Sequence, residues 1–184
     1  ILAPSDRSFI SHFLPDKDVN DLPIGYFGAP FIGTLITELL NNNHQVTAIT
    51  TSIAINNDYT VKTFRADNFS WIVVPQRPHS LRMNGRKIGY ILDFFSDEQN
   101  LMANCLGELS PDFVHAHWSY EFAGAAIKSE LPCLITVHDN AFKVLRFFKN
   151  LYRFGRLLMS EHNLKQVRFA STVSPYMLDY TKKR

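Results

Sequence analysis

Cysteine is nearly absent. Cys105 and Cys133 are the two thiols in a chain of 184 residues, too few for a disulfide framework and without the paired spacing of a zinc site. A reducing, cytoplasmic setting is the expectation. A charge excess is also missing. Lys and Arg number 19 against 17 Asp and Glu, for a net charge of +2, which leaves no electrostatic footprint for nucleic acid as a partner. No apolar run reaches the length of a membrane span, and no repeat or low-complexity linker interrupts the chain. Neither G-x-G-x-x-G nor a Walker spacing occurs, so nicotinamide and ATP motifs are unsupported. The chain opens on Ile1 without Met or a visible leader, and the expectation is a piece of a longer protein.

What the chain does have is a core: 46% of its residues are hydrophobic and 15 are Phe, a globular composition. The stretch from Ser110 to Asn140 reads as strand, loop, helix, strand. Phe113–Trp118 is a short apolar run. Ala123–Glu130 favours helix, Pro132 ends it, and Leu134–Val137 is β-branched. Such a βαβ unit predicts buried parallel strands with ligands outside their carboxyl ends. Around it the pattern predicts a first strand at Ile1–Ser5, a polar loop from Asp6 to Asn20, and a helix from Phe31 to the asparagines at 41–43. Strands follow at His44–Thr51, Tyr59–Phe64 and Phe69–Pro75, then a basic loop at Gln76–Lys87. A long helix is expected over Ile88–Leu109 and helical structure over Asn140–Leu164. Last come a strand at Arg168–Ser174 and a helix opened by Ser174 and Pro175. The fold class is α/β: a Rossmann-like, doubly wound, mostly parallel sheet with helices on both faces.

Three groups of residues carry possible chemistry. The Gly25–Pro30 loop precedes a helix, where backbone amides and the helix dipole favour an anion, although an ordinary turn fits as well. His115, His117, His138 and Asp139 stand at strand ends. A metal site is one reading of them and structural packing another; hydrogen bonding to sugar hydroxyls and diphosphate oxygens is the better one. Finally, Lys143, Arg146, Lys149, Arg153 and Arg156 fall on one face if Ala141–Met159 is a single helix. That stripe offers contact with an anionic membrane surface or an acceptor, against the alternative of a solvated face. Arg77, Arg82, Arg86 and Lys87 read as a solvated loop or as contacts for an acidic acceptor.

Taken in order, these pieces resemble the N-terminal half of a GT-B-fold glycosyltransferase of the group 1, family 4-like type. Gly28-Ala29-Pro30-Phe31, then Leu35-Ile36-x-x-Leu39 and His44-x-Val46-x-x-Ile49-Thr50, resemble its first loop, helix and strand. Pro111-Asp112-x-Val114-His115-Ala116-His117 and Pro132-x-Leu134-x-Thr136-Val137-His138-Asp139 resemble two further strands. Ala170-Ser171-x-Val173-Ser174 with Met177 resembles the last strand and helix. The resemblance implies one acceptor-side domain over residues 1–184. It implies retaining sugar transfer from a nucleotide-diphosphate sugar to an acceptor such as a glycan or lipid, of the kind used for cell-envelope polysaccharide. No cofactor and no metal are implied. His138 matches the histidine that reaches the donor sugar. Gly28 and Ala29 match the loop near the donor diphosphate and acceptor, and Asp139 matches the position just after that histidine; with His117 of the strand-end group they are the substrate-binding candidates. The donor-binding C-terminal domain would be a missing partner, since no two Glu here have its E-x7-E spacing, and this chain alone is expected to be inactive. The expected location is the cytoplasm, peripheral to the inner face of the membrane. Half of a nucleotide-sugar epimerase of the same fold, or a non-catalytic binding module, are the alternatives.

Overall fold

The computed structural model describes residues 1–183, with side chains at all positions but 56–58. The chain divides into two compact units, Ile1–Gln76 and the part from Arg77 onward. Both are α/β with parallel strands.

In the first unit a short helix α1 (Arg7–Ile10) runs into a 3-10 turn, Ser11–Phe13. Helix α2 (Phe31–Asn41) and strands β1 (Val46–Ser52), β2 (Lys62–Arg65) and β3 (Phe69–Pro75) follow. The sheet order is β1-β3-β2, with β1 parallel and β2 antiparallel to β3. β1 and β3 are buried along almost their whole length, as expected for strands covered on both faces. The expected first strand is reduced to one parallel bridge between Leu2 and Ile49. The expected polar loop from Asp6 is partly helical, because the Asp6 carboxylate accepts from the Ser8 amide at 2.8 Å and caps α1. On α2 Ile32 and Ile36 are fully buried, while Phe31 is exposed, so the inward face runs through Ile32 and Ile36.

Gly25 holds this unit's first turn. It pairs with Asp6 at a φ of +76°, and a Cβ there would stand 2.3 Å from the Ser5 carbonyl oxygen. Both the left-handed conformation and the close approach require glycine. Gly25→Ala is expected to cost about 2 kcal/mol or more, from strain and overpacking together, measured as a shift in the denaturation midpoint.

In the second unit α3 (Ser96–Leu109), β4 (Val114–His117), α4 (Glu121–Lys128) and β5 (Cys133–Val137) are followed by α5 (Ala141–Phe148), α6 (Leu151–Leu164), β6 (Ala170–Thr172) and α7 (Pro175–Thr181). The sheet is parallel throughout in the order β4-β5-β6. Small residues on α4 let it sit close to α3; a Cβ on Gly124 would lie 2.5 Å from the Gln99 side chain. Ser174 caps α7 with Pro175 in its first turn, as the sequence predicts.

Two helices differ from expectation, each for a local reason. The helix expected over Ile88–Leu109 begins at Ser96, and Phe94 and Phe95 are left-handed. Arg77 is the cause. It is 2% exposed and donates to the Ile88 carbonyl at 3.1 Å, to both Asp93 oxygens at 2.7 and 2.9 Å, and to Glu98 at 2.7 Å. Asp93 in turn accepts from the Ser96 amide at 3.3 Å. The buried guanidinium thus pins the segment in turns and starts α3 late. Arg77 is therefore an internal strut and neither a solvated residue nor an acceptor contact.

The helix expected over Ala141–Met159 is broken. Lys149 takes a left-handed φ of 46° and its amide donates to the Leu145 carbonyl, closing α5. Asn150 then caps α6 by accepting from the Arg153 amide at 2.8 Å. With the break, the five-cation stripe does not exist as one helical face.

Candidate active site

The parallel register places His117 opposite Thr136, so the carboxyl ends of β4 and β5 bring their polar residues together. His115 and His117, two residues apart on one strand, stack with ring centroids 4.2 Å apart. His115 Nε2 lies 2.7 Å from Thr136 Oγ, and Thr136 Oγ lies 2.7 Å from Ser171 Oγ on β6. His117 Nδ1 faces His138 Nε2 at 3.0 Å, where one ring donates its N–H and the other accepts. His138 also stacks on Trp118 at 4.4 Å. Trp118 adopts a left-handed φ of 64° immediately after β4, which turns its ring to that side.

These imidazoles are held neutral. Burial, with His115 and His138 adding repulsion, lowers His117 to about 3. Burial, then the neighbouring His115, lowers His138 to about 4. Burial also lowers His115. The shared hydrogen bond between His117 and His138 has the same requirement, since two imidazolium rings would present two donors to each other.

Asp139 follows at the tip of β5. The Tyr120 hydroxyl donates to its Oδ1 at 3.0 Å, and burial raises its pKa against that hydrogen bond and two nearby arginines. Asn140 caps α5 by accepting from the Lys143 amide and donates to the Tyr176 hydroxyl at 2.8 Å.

A second layer fixes this arrangement from α6. Arg156, only 7% exposed, pairs with Glu121 at 2.5 Å, and its guanidinium lies 3.7 Å from the Tyr120 ring centre. Asn163 donates to the Ser119 and Tyr120 carbonyls at 3.0 and 2.7 Å. Ser160 Oγ meets Ser119 Oγ at 2.7 Å. The β4–α4 loop, with Trp118 and Tyr120 on it, is therefore clamped by a helix distant in sequence. The reading from sequence found none of these supports; Asn163 inside a helix and a Tyr-Glu pair beside the H-x-H strand were the available signals.

The structure unites His115, His117, His138 and Asp139. Among the described residues no group of three or more His, Cys, Asp or Glu is placed to hold a metal ion. Gly28 and Ala29 belong to the first unit. Gly28 has a φ of +120°, and a Cβ there would meet nothing within 4 Å, so the chain conformation alone calls for glycine. Ala29 is buried at 1% exposure. Lys143, Arg146 and Lys149 are exposed on α5 and at its end, and Arg153 is half-buried on α6. Arg156 is the internal member of the former stripe.

The sequence model of Glycosyltransferase Family 4 matches residues 29–184. The chain belongs to this family. A search of curated proteins returns no match to it. The match spans α2, every strand of both sheets and the histidine cluster. A glycosyltransferase domain with a Rossmann-like α/β fold is thus established for the chain. Among the described residues no helix is long and apolar enough to cross a membrane.

Two predictions test the site's architecture. Arg156→Ala leaves the buried Glu121 carboxylate without its partner and is expected to cost roughly 3–5 kcal/mol, read from urea denaturation. The second concerns acid. Below about pH 6.5 the unfolded histidines take up protons, while folded His117 and His138 stay neutral until about 3 and 4. The unfolded state then binds more protons, so stability falls as pH drops from about 6.5 towards 4, and the histidines impose no such slope above that range. His117→Gln should flatten this fall in melting temperature; an unchanged slope would count against the buried neutral pair.

Proposed function

We propose that this chain is the acceptor-side domain of a retaining glycosyltransferase, which moves a sugar from a nucleotide-diphosphate donor to an acceptor hydroxyl. The observation that carries the reading is the position and state of His138. It is half-buried at the carboxyl end of a parallel strand, where α/β sheets bind ligands; burial, then the neighbouring His115, holds the ring neutral, and His117 and Trp118 orient it. One nitrogen of the neutral ring is engaged with His117, so a sugar hydroxyl would meet the other as a single donor or acceptor; an imidazolium would instead form an ion pair with the diphosphate. Retention follows from the family resemblance, as does a second, donor-binding domain outside these residues. In this reading His138 contacts the donor sugar, while His117 and Asp139 fix the tip. Gly28 and Ala29 are assigned to substrate binding from the family resemblance alone. Metal and organic cofactors take no part, and the protein works in the cytoplasm.

The test uses the natural protein that carries this chain, offered nucleotide sugars with candidate acceptors and followed by release of nucleoside diphosphate. His138→Ala should lower kcat by roughly 10²-fold or more while the melting temperature shows the fold intact. Unchanged transfer in a folded variant would refute the assignment.

A further inference from the structure

The break between α5 and α6 leaves an unusual surface. Phe147 is 81% exposed and Leu151 71%, one on each side of the left-handed turn at Lys149. Phe142 and Phe148 on α5 are exposed, as are Phe154 and Leu158 on α6. Leu151, Phe154 and Leu158 follow helical spacing and form one stripe, turned away from the buried Arg156, Met159 and Asn163 on the same helix. Single exposed apolar residues are ordinary on a protein surface. Here they are concentrated around one helical corner, with the rings of Phe147 and Phe148 in edge contact at 5.0 Å.

The charge around them has one sign. Between Asn140 and Ser160 the sequence carries Lys143, Arg146, Lys149, Arg153 and Arg156, and no Asp or Glu. Arg156 is spent internally on Glu121. Lys143, Arg146 and Lys149 are exposed on α5 and at its end and Arg153 is half-buried on α6; Arg153 lies 5.0 Å from the Phe148 ring centre and 5.4 Å from that of Tyr152, which keeps a cation beside the apex. The backbone of the apex is satisfied from within. The Lys149 amide donates to the Leu145 carbonyl at 2.8 Å, the Arg153 amide to the Asn150 side chain at 2.8 Å, and the Phe154 amide to the Asn150 carbonyl at 3.0 Å. Such an apex can leave water without stranding those amides.

We infer that the α5–α6 corner is a docking surface for an anionic phospholipid bilayer. An apolar apex, these basic residues and an internally closed backbone match an interface that is negative at its surface and hydrocarbon beneath. Phe147, Phe148 and Leu151 enter the boundary between headgroups and acyl chains, and Lys143, Arg146, Lys149 and Arg153 meet the phosphates. The surface differs from a straight basic stripe: the apolar turn does the inserting, and Arg156 has no part in it. The inference does not depend on the sugar-transfer reading.

The test is sedimentation of the purified protein with vesicles of phosphatidylcholine alone and of phosphatidylcholine containing phosphatidylglycerol, at low and high salt. Binding to the anionic vesicles is expected, weakened by salt and at least about tenfold weaker on the neutral ones. Two variants separate the contributions, the Phe147→Ser/Leu151→Ser pair and the Lys143→Gln/Arg146→Gln pair. Each changes exposed positions, and circular dichroism checks the fold. Each should lower partitioning to anionic vesicles about tenfold or more. Absence of vesicle binding at low salt, or binding that both variants keep in full, would overturn the proposal. So would a Phe147→Ser/Leu151→Ser variant whose sole change is the loss of self-association or of binding to another protein, because the apex would then be a protein contact.

Discussion

One buried cation organises the second unit. Arg156 on α6 is paired with Glu121 in the first turn of α4 and lies against the Tyr120 ring. Taking both charges out of water is costly, and a well-packed apolar pair would serve stability as well or better. What an apolar pair could not do is orient. The guanidinium plane fixes the face of Tyr120, and Tyr120 fixes Asp139 through its hydroxyl. Asn163 and Ser160 grip the same loop two and one turns further along α6. The tip of β5 thus takes its geometry from a helix reached only after the α5–α6 break. Arg77 acts similarly at the start of the unit, where a buried guanidinium decides where α3 begins. In both places a charge pair between residues distant in sequence sets the local geometry.

That rule explains what could be read from sequence. β1, β3 and β5 were legible because buried parallel strands are short β-branched runs, and Leu131-Pro132 marks the stop between α4 and β5 without any tertiary information. The H-x-H spacing put His115 and His117 on one face, and their rings do stack. The segment Ile88–Phe95 has a helical pattern, yet it folds as turns because Arg77 takes its carbonyl and carboxylate groups; nothing local announces that an arginine in a basic loop will be buried. The break at Lys149 and Asn150 was legible in principle. Asparagine is a strong helix cap, but apolar and basic residues of helical period on both sides hid it. Tyr120 and Trp118 escaped because their roles arise from a left-handed turn and from contacts across the fold, and neither leaves a trace in residue spacing.

The unit treats its positive charge in two opposite ways. Around the histidines burial removes it: His115, His117 and His138 are all held towards the neutral form. At the α5–α6 corner four cations stand around apolar side chains with no carboxylate between them in sequence. Chemistry that needs fixed charge belongs at the corner, and chemistry that needs hydrogen bonds of defined direction belongs at the strand ends.

The contrast bears on what the strand-end cluster can recognise. A diphosphate calls for amides, arginines, lysines or a helix N-terminus. The neutral imidazoles bring no net positive charge, and the carboxyl group of Asp139 would repel an anion whenever it is ionised. Hydroxyl groups are different. Each can donate and accept, and a neutral imidazole beside a fixed carboxyl group offers both partners without an ion pair. The cluster is therefore better suited to the sugar or acceptor side of a transfer than to the phosphate side. A reaction that expels a nucleoside diphosphate must find its charge compensation in groups other than these imidazoles.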